Sequence, residues 1–209
     1  MNDMDAGLEP LLREELQHLA ALPQPEAVGM LRRVSRRRRR NGISGAAGAL
    51  GVLAIVMGTG AGLAAAVALR ARDQQGPPIR FQLLNQPALD DRQETWSARN
   101  FTDTPWADRD TVTAAWRHYL GSTPASPYAA PARADDLSGL PPAYIATAEF
   151  DPSRDEAITY ALRLLQAGVS VELHQWAGTF HGSFAILSAE VSQRQIAELS
   201  ATLRRALTE

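Results

Sequence analysis

Cysteine and lysine are both absent from this 209-residue chain. Without cysteine there is no disulfide framework, thiolate nucleophile, zinc-thiolate site or iron-sulfur ligation. Metal ligation by histidine is not expected either, because the four histidines, His18, His118, His174 and His181, lie far apart without ligand spacing. The lack of lysine leaves arginine as the sole cationic residue type, 21 in all. With abundant alanine, that bias points to GC-rich bacterial coding and says nothing about fold. Aromatic residues are scarce at 6%, and residues 1–42 contain none. What is present is globular in composition. With 45% hydrophobic and 21% charged residues, a collagen-like or wholly disordered chain is excluded, and the length suits one domain or a small domain with an appendage.

The net charge of -2 hides three unlike regions. Residues 1–40 carry eight arginines against six acids, residues 41–69 carry no charge, and residues 70–209 carry thirteen arginines against seventeen acids. In the first region Leu11, Leu12, Leu16, Leu19 and Leu22 recur near helical spacing until Pro23 and Pro25 stop the pattern. The run Arg36 to Arg40 reads either as a nucleic-acid patch or as a basic flank that holds a membrane helix at the cytoplasmic face. No aromatic side chain is near for base stacking and an uncharged segment comes directly after it, so the flank is favoured and no nucleic-acid partner is expected. That segment, Ile43 to Leu69, has Ser44 and Thr59 as its only polar side chains. A bilayer core needs about 20 apolar residues. One unbroken apolar helix is therefore expected here, making a single-pass membrane protein with a cytoplasmic N-terminus. The alternative is a buried strand and then a helix in a cytoplasmic protein, since a central strand and part of a membrane span are equally apolar.

Past Gly62 the pattern changes. A helix is predicted over Leu63 to Arg72, closed by Asp73 and the turn Gly76-Pro77-Pro78, and a strand over Ile79 to Leu84. A polar loop containing Asp90-Asp91-Arg92, Trp96 and Trp106 leads to a helix near Val112 to Tyr119 and a proline-rich run from Pro124 to Pro131. Ala143 to Phe150 reads as a buried strand, Ser153 to Ala167 as a helix ended by Gly168, Val169 to Gln175 as an alternating strand, and Ser188 to Leu207 as an amphipathic helix. Strand, helix, strand, helix in that order means parallel pairing in an α/β sheet.

Several of these runs carry a resemblance. Ala64 to Asp73, Phe81-Gln82-Leu83-Leu84 leading to Pro87-Ala88-Leu89-Asp90-Asp91-Arg92, Ser126-Pro127-Tyr128-Ala129-Ala130-Pro131 and Leu140-Pro141-Pro142-Ala143-Tyr144 resemble the bacterial hormone-sensitive-lipase branch of the α/β-hydrolases. Asp151-Pro152-Ser153-Arg154-Asp155-Glu156 and Phe180-His181-Gly182 are similar to that family's last two motifs. The resemblance runs from about Gly62 to Leu207. It implies the C-terminal half of an α/β-hydrolase parallel sheet with flanking helices, here preceded by a long apolar helix. On this reading residues 1–42 form an N-terminal helix and basic flank, 43–69 the apolar segment, and 70–209 a partial hydrolase domain.

The family hydrolyses carboxylic esters with a triad in the order serine, aspartate, histidine. The resemblance makes Asp151 the acid and His181 the base. Taken alone, Asp151 also reads as a helix N-cap before Pro152, His181 as an ordinary loop histidine, and Asp155 and Glu156 as first-turn acids suited to the helix dipole. The nucleophile position breaks the pattern. Val56-Met57-Gly58-Thr59-Gly60-Ala61-Gly62-Leu63 stands where Gly-x-Ser-x-Gly belongs, and the two available frames put Gly58 or Gly60 in the serine's place. Thr59 is offset by one residue on a sharp turn, so its hydroxyl is not expected to substitute. The glycines also fail as a dinucleotide fingerprint, because Leu63 stands where the third glycine is required. Residues 1–57 contain no His-Gly-Gly-Gly run for an oxyanion hole. The expected function is a Ser-Asp-His type ester hydrolase lacking its nucleophile and oxyanion loop, inactive alone, with a small ester as substrate were it active. The alternatives are a single-pass membrane protein with a non-catalytic α/β binding domain, and a misjoined reading frame. No cofactor is implied, and substrate identity and oligomeric state are left open.

Overall fold

The structure is a computed structural model, and it describes residues Thr59–Thr208. Among the described residues, five helices, α1 (Thr59–Asp73), α2 (Trp96–Asn100), α3 (Arg109–Leu120), α4 (Arg154–Gln166) and α5 (Glu190–Thr208), accompany three strands, β1 (Gln82–Asn85), β2 (Ala143–Phe150) and β3 (Val171–Phe180). Single 3-10 turns occur at Pro131–Arg133 and Ser183–Ala185. The strands are parallel, in the order β1-β2-β3.

Strand β2 explains the layering. Its first six residues, Ala143 to Ala148, are all buried, as a parallel strand covered on both faces requires. Because successive side chains alternate sides, Ala143 and Ile145, with Leu84 of β1, pack against Ala65, Ala68 and Leu69 of α1 and Ala157, Tyr160, Ala161 and Leu164 of α4. Tyr144 and Ala146, with Leu83, face the other way onto Trp176 and meet Val191 and Leu199 of α5. Each fully buried leucine in these layers contributes about 1.5–3 kcal/mol. Helices α1 and α4 present their small and apolar residues at three- and four-residue intervals, which places them on one stripe facing the sheet.

The expectation of one unbroken helix over Ile43–Leu69 can be compared from Thr59 onward. Over that part the chain is helical, as α1 (Thr59–Asp73), which continues past Leu69 to Asp73. Ala61, Ala65, Ala66, Ala68 and Leu69 are apolar because they are buried, several of them directly against the sheet. Among the described residues, no helix is long and apolar enough to cross a membrane. Residues 43–58, and the basic flank and leucine-rich helix expected within residues 1–42, lie outside the described residues.

Smaller differences have local causes. Strand β1 starts at Gln82 rather than Ile79, and β3 runs five residues past Gln175. Helix α2 falls in a stretch read as loop. It is a single turn whose cap, Thr95, accepts the Ala98 amide through its hydroxyl at 3.3 Å, too short to show periodicity.

Candidate functional site

Asp151 comes directly after the last residue of β2, and His181 directly after the last residue of β3. Adjacent parallel strands end side by side, so the two residues emerge on the same edge of the sheet. An irregularity in the pairing brings them together. Ala148 pairs with Trp176, but Phe150 pairs with Phe180, so β3 spends four residues where β2 spends two. The resulting bulge holds Gly178, whose amide donates to Glu149 Oε2 at 2.6 Å, while Thr179 Oγ1 donates to the Trp176 carbonyl at 2.7 Å. Bulges of this kind bend a strand and re-aim the residues beyond it. In β3 the residue re-aimed is His181.

The imidazole Nδ1 lies 2.7 Å from Asp151 Oδ2. Asp151 is 1% exposed and its other oxygen, Oδ1, accepts the Ser153 amide at 2.8 Å. The helix cap itself is Ser153, with α4 starting at Arg154. Asp151 thus satisfies the turn before the helix with one oxygen and orients histidine with the other. The His181 side chain is 23% exposed. Burial works to lower the imidazole pKa, but the Coulombic attraction and hydrogen bond of Asp151 outweigh it and hold the pKa above its ordinary value. Because an ionised carboxylate only accepts, the proton of the neutral ring sits on Nδ1 and the lone pair on Nε2.

Gly182 sustains this corner. Its φ of 79° is left-handed, and a Cβ added there would stand 2.6 Å from Cε3 of Trp106, whose ring covers it. Trp106 in turn meets Phe180 edge-on at 6.0 Å. Asp155 and Glu156 are more than dipole partners. Asp155 binds the Ser97 amide at 2.9 Å and Arg154 Nε at 2.7 Å, tying α4 to α2. Burial pushes the Glu156 carboxyl well above the usual range, although Oε1 accepts the Leu89 and Asp90 amides at 2.6 and 3.2 Å.

Of the two frames for the nucleophile, Gly60 is buried in the first turn of α1, and Gly58 lies outside the described residues. Gly62, two residues further on, is packed so closely that an added Cβ would stand 2.1 Å from the Ala88 carbonyl oxygen. Among the described residues, no cluster of three metal-ligating side chains occurs. Sequence reasoning did not find Gln86 or the packing role of Trp106, since both act across the fold on residues far along the chain.

A profile of the alpha/beta hydrolase fold family matches residues 41–185. The match begins upstream of Gly62, inside the stretch expected to be a membrane leader. Esterase LipI of Mycobacterium tuberculosis is 44% identical over 133 residues, covering 61% of this chain and 41% of that protein. Carboxylesterase NlhH of the same species is 40% identical over 155 residues, covering 69% and 48%. Among solved structures, a bacterial heroin esterase superimposes with a TM-score of 0.71 at 52% identity, over 73% of this chain and 50% of that one. Esterase LipW from Mycobacterium marinum gives 0.70 at 43% identity, over 73% and 48%. The chain spans about half the length of these relatives. A profile match over more than half of the residues, reaching from the uncharged segment to just past His181, means that the chain belongs to the alpha/beta hydrolase fold family.

Proposed function

We propose that this chain is built on the plan of a carboxylic ester hydrolase, with Asp151 as the acid and His181 as the general base, and that glycine at the nucleophile place leaves it without ester turnover on its own. The observation that carries this reading is the 2.7 Å bond from His181 Nδ1 to the buried Asp151 carboxylate. It fixes the tautomer that leaves Nε2 as the proton acceptor and stabilises the imidazolium once that proton arrives. The names of the relatives, esterase and carboxylesterase, support an ester as the substrate class.

In the complete reaction a serine Oγ would give its proton to Nε2 while its oxygen bonds the ester carbonyl carbon. The same proton would then pass from Nε2 to the departing alcohol, and water would repeat the sequence to free the acid. Glycine at position 58 or 60 offers no oxygen for the first step. Each oxyanion donor missing from the site would cost on the order of 3 kcal/mol more.

The test is hydrolysis of short p-nitrophenyl esters by the wild type and by Gly58→Ser and Gly60→Ser, each also combined with His181→Ala. The wild type is expected to match buffer. Serine in the correct frame is expected to give a burst that His181→Ala abolishes. Wild-type turnover that disappears in His181→Ala would refute the claim of inactivity, and serine-variant turnover that survives His181→Ala would refute the assignment of the acid-base pair.

A further inference from the structure

Gln86 sits just past the end of β1 and is 2% exposed. Its φ is 50°, a left-handed value that non-glycine residues seldom adopt, and the next residue is Pro87, which restricts its predecessor further. Such conformations persist only where the surroundings over-determine them, and they concentrate at functional sites. Here the surroundings do so. The Gln86 amide donates to the Ala146 carbonyl of β2 at 2.7 Å, extending the ladder by one bond. The four residues after it are clamped on three sides. The Ala88 carbonyl lies against Gly62 of α1, the Leu89 and Asp90 amides bind Glu156 of α4, and the Leu89 carbonyl accepts the Ala132 amide at 3.0 Å.

From this fixed backbone the side chain reaches across the edge of the sheet, and its Oε1 accepts the Gly182 amide at 2.7 Å. Gly182 is the residue directly after His181. We propose that Gln86 is a positioning residue for His181, holding the Gly182 amide so that the loop leaving β3 presents its imidazole to Asp151. This rests on the reading of His181 as the general base. A glutamine suits the task because its amide oxygen accepts a hydrogen bond at every pH. The clamped loop also makes one short segment answer to the helix beyond the nucleophile place, the helix beyond Asp151, and the loop that carries His181.

The experiment is NMR on the whole chain with labelled glycine and histidine, and it needs no turnover. In the wild type the Gly182 amide is expected to exchange slowly with solvent, and the His181 Nδ1 proton to give a resolved downfield resonance. Gln86→Met keeps the length but removes the acceptor, and Gln86→Gly frees the backbone while removing it. Both are expected to speed Gly182 exchange at least tenfold and to lose the Nδ1 resonance, whereas Gln86→Glu, which keeps an oxygen there, retains both. A purely conformational role for Gln86 would leave the imidazole signal intact in Gln86→Gly, and that result would overturn the proposal. So would an unprotected Gly182 amide in the wild type, which is readable even if a variant fails to fold, or loss of both signals in Gln86→Glu. Serine-variant ester turnover that survives His181→Ala would sink the functional reading while leaving these signals to be judged separately.

Discussion

Replacing Gly62 with alanine sets two backbone effects against each other. In an exposed helix interior the change would add about 1 kcal/mol of stability, because glycine loses more conformational freedom on folding. At Gly62 the new Cβ would stand 2.1 Å from the Ala88 carbonyl oxygen. Ordinary carbon-to-oxygen contact begins at about 3.3 Å, so the helix and the loop must part by about 1.2 Å. Neither side yields readily. Helix α1 is held by the buried Ala65, Ala68 and Leu69, and the loop by its bonds to Glu156 and Ala132. Overpacking of this kind costs about 1–3 kcal/mol, and backbone on both sides places it near the top of that range. The net expectation for Gly62→Ala is a loss of about 2 kcal/mol, equivalent to a fall in Tm of about 4–8 °C for a domain of this size. Urea unfolding monitored by far-UV circular dichroism measures it. Val67→Ala, at an exposed position on the same helix, serves as the control and is expected to stay within about 0.5 kcal/mol of wild type. A Gly62→Ala protein as stable as wild type would show that α1 and the loop are not packed as described.

Two further outcomes concern charge. Asp151→Asn removes the attraction that overcomes burial at His181, so the imidazole pKa is expected to move from above its ordinary value to below it in an NMR titration. In the wild type the raised pKa means that stability from this pair is full below about pH 6.5 and is lost as pH rises through the folded value. In Asp151→Asn this contribution is expected to reverse sign, and urea midpoints that vary with pH as in the wild type would contradict it. Glu156 is also held above its ordinary pKa by burial, so its contribution is full below about pH 4.3 and fades as pH rises through the folded value. Glu156→Gln keeps an acceptor for both amides without the buried charge, and is expected to be at least as stable as wild type at neutral pH. Glu156→Leu strands both amides and is expected to cost on the order of 2–6 kcal/mol, at about 1–3 kcal/mol each. Equal losses in the two variants, measured by urea unfolding, would mean that the charge itself is required.

Local interactions were legible in the sequence, and long-range ones were not. Ala143 to Phe150 is a bounded apolar run of strand length, and α4 is fenced by an acidic first turn and Gly168, so both could be read directly. The apolarity of residues 59–69 was equally plain, but composition records that a segment is removed from water without saying what removes it. Here, for the described part, it is the sheet. The bulge was illegible because Ala177, Gly178 and Thr179 read as loop after an alternating strand, and only pairing with β2 shows that the strand continues. Gln86 gave no signal at all. Its partner amide is 96 positions away, and nothing in a polar residue before a proline marks it as a long-range acceptor.

The bulge in β3 makes the pair of Asp151 and His181 a matter of counting. Side chains alternate across a strand with a period of two, so a change of one residue in length reverses which face every later side chain occupies. Exposed Ala177 can be exchanged for other residues while the count is kept. Loss or gain of a single residue between Trp176 and Phe180 would instead turn His181 toward the opposite face of the sheet, away from an acid that had not itself changed. Lineages carrying this corner are therefore free to drift at position 177 and bound in the length of the bulge, with insertions diverted to loops such as the proline-rich run from Pro124 to Pro131.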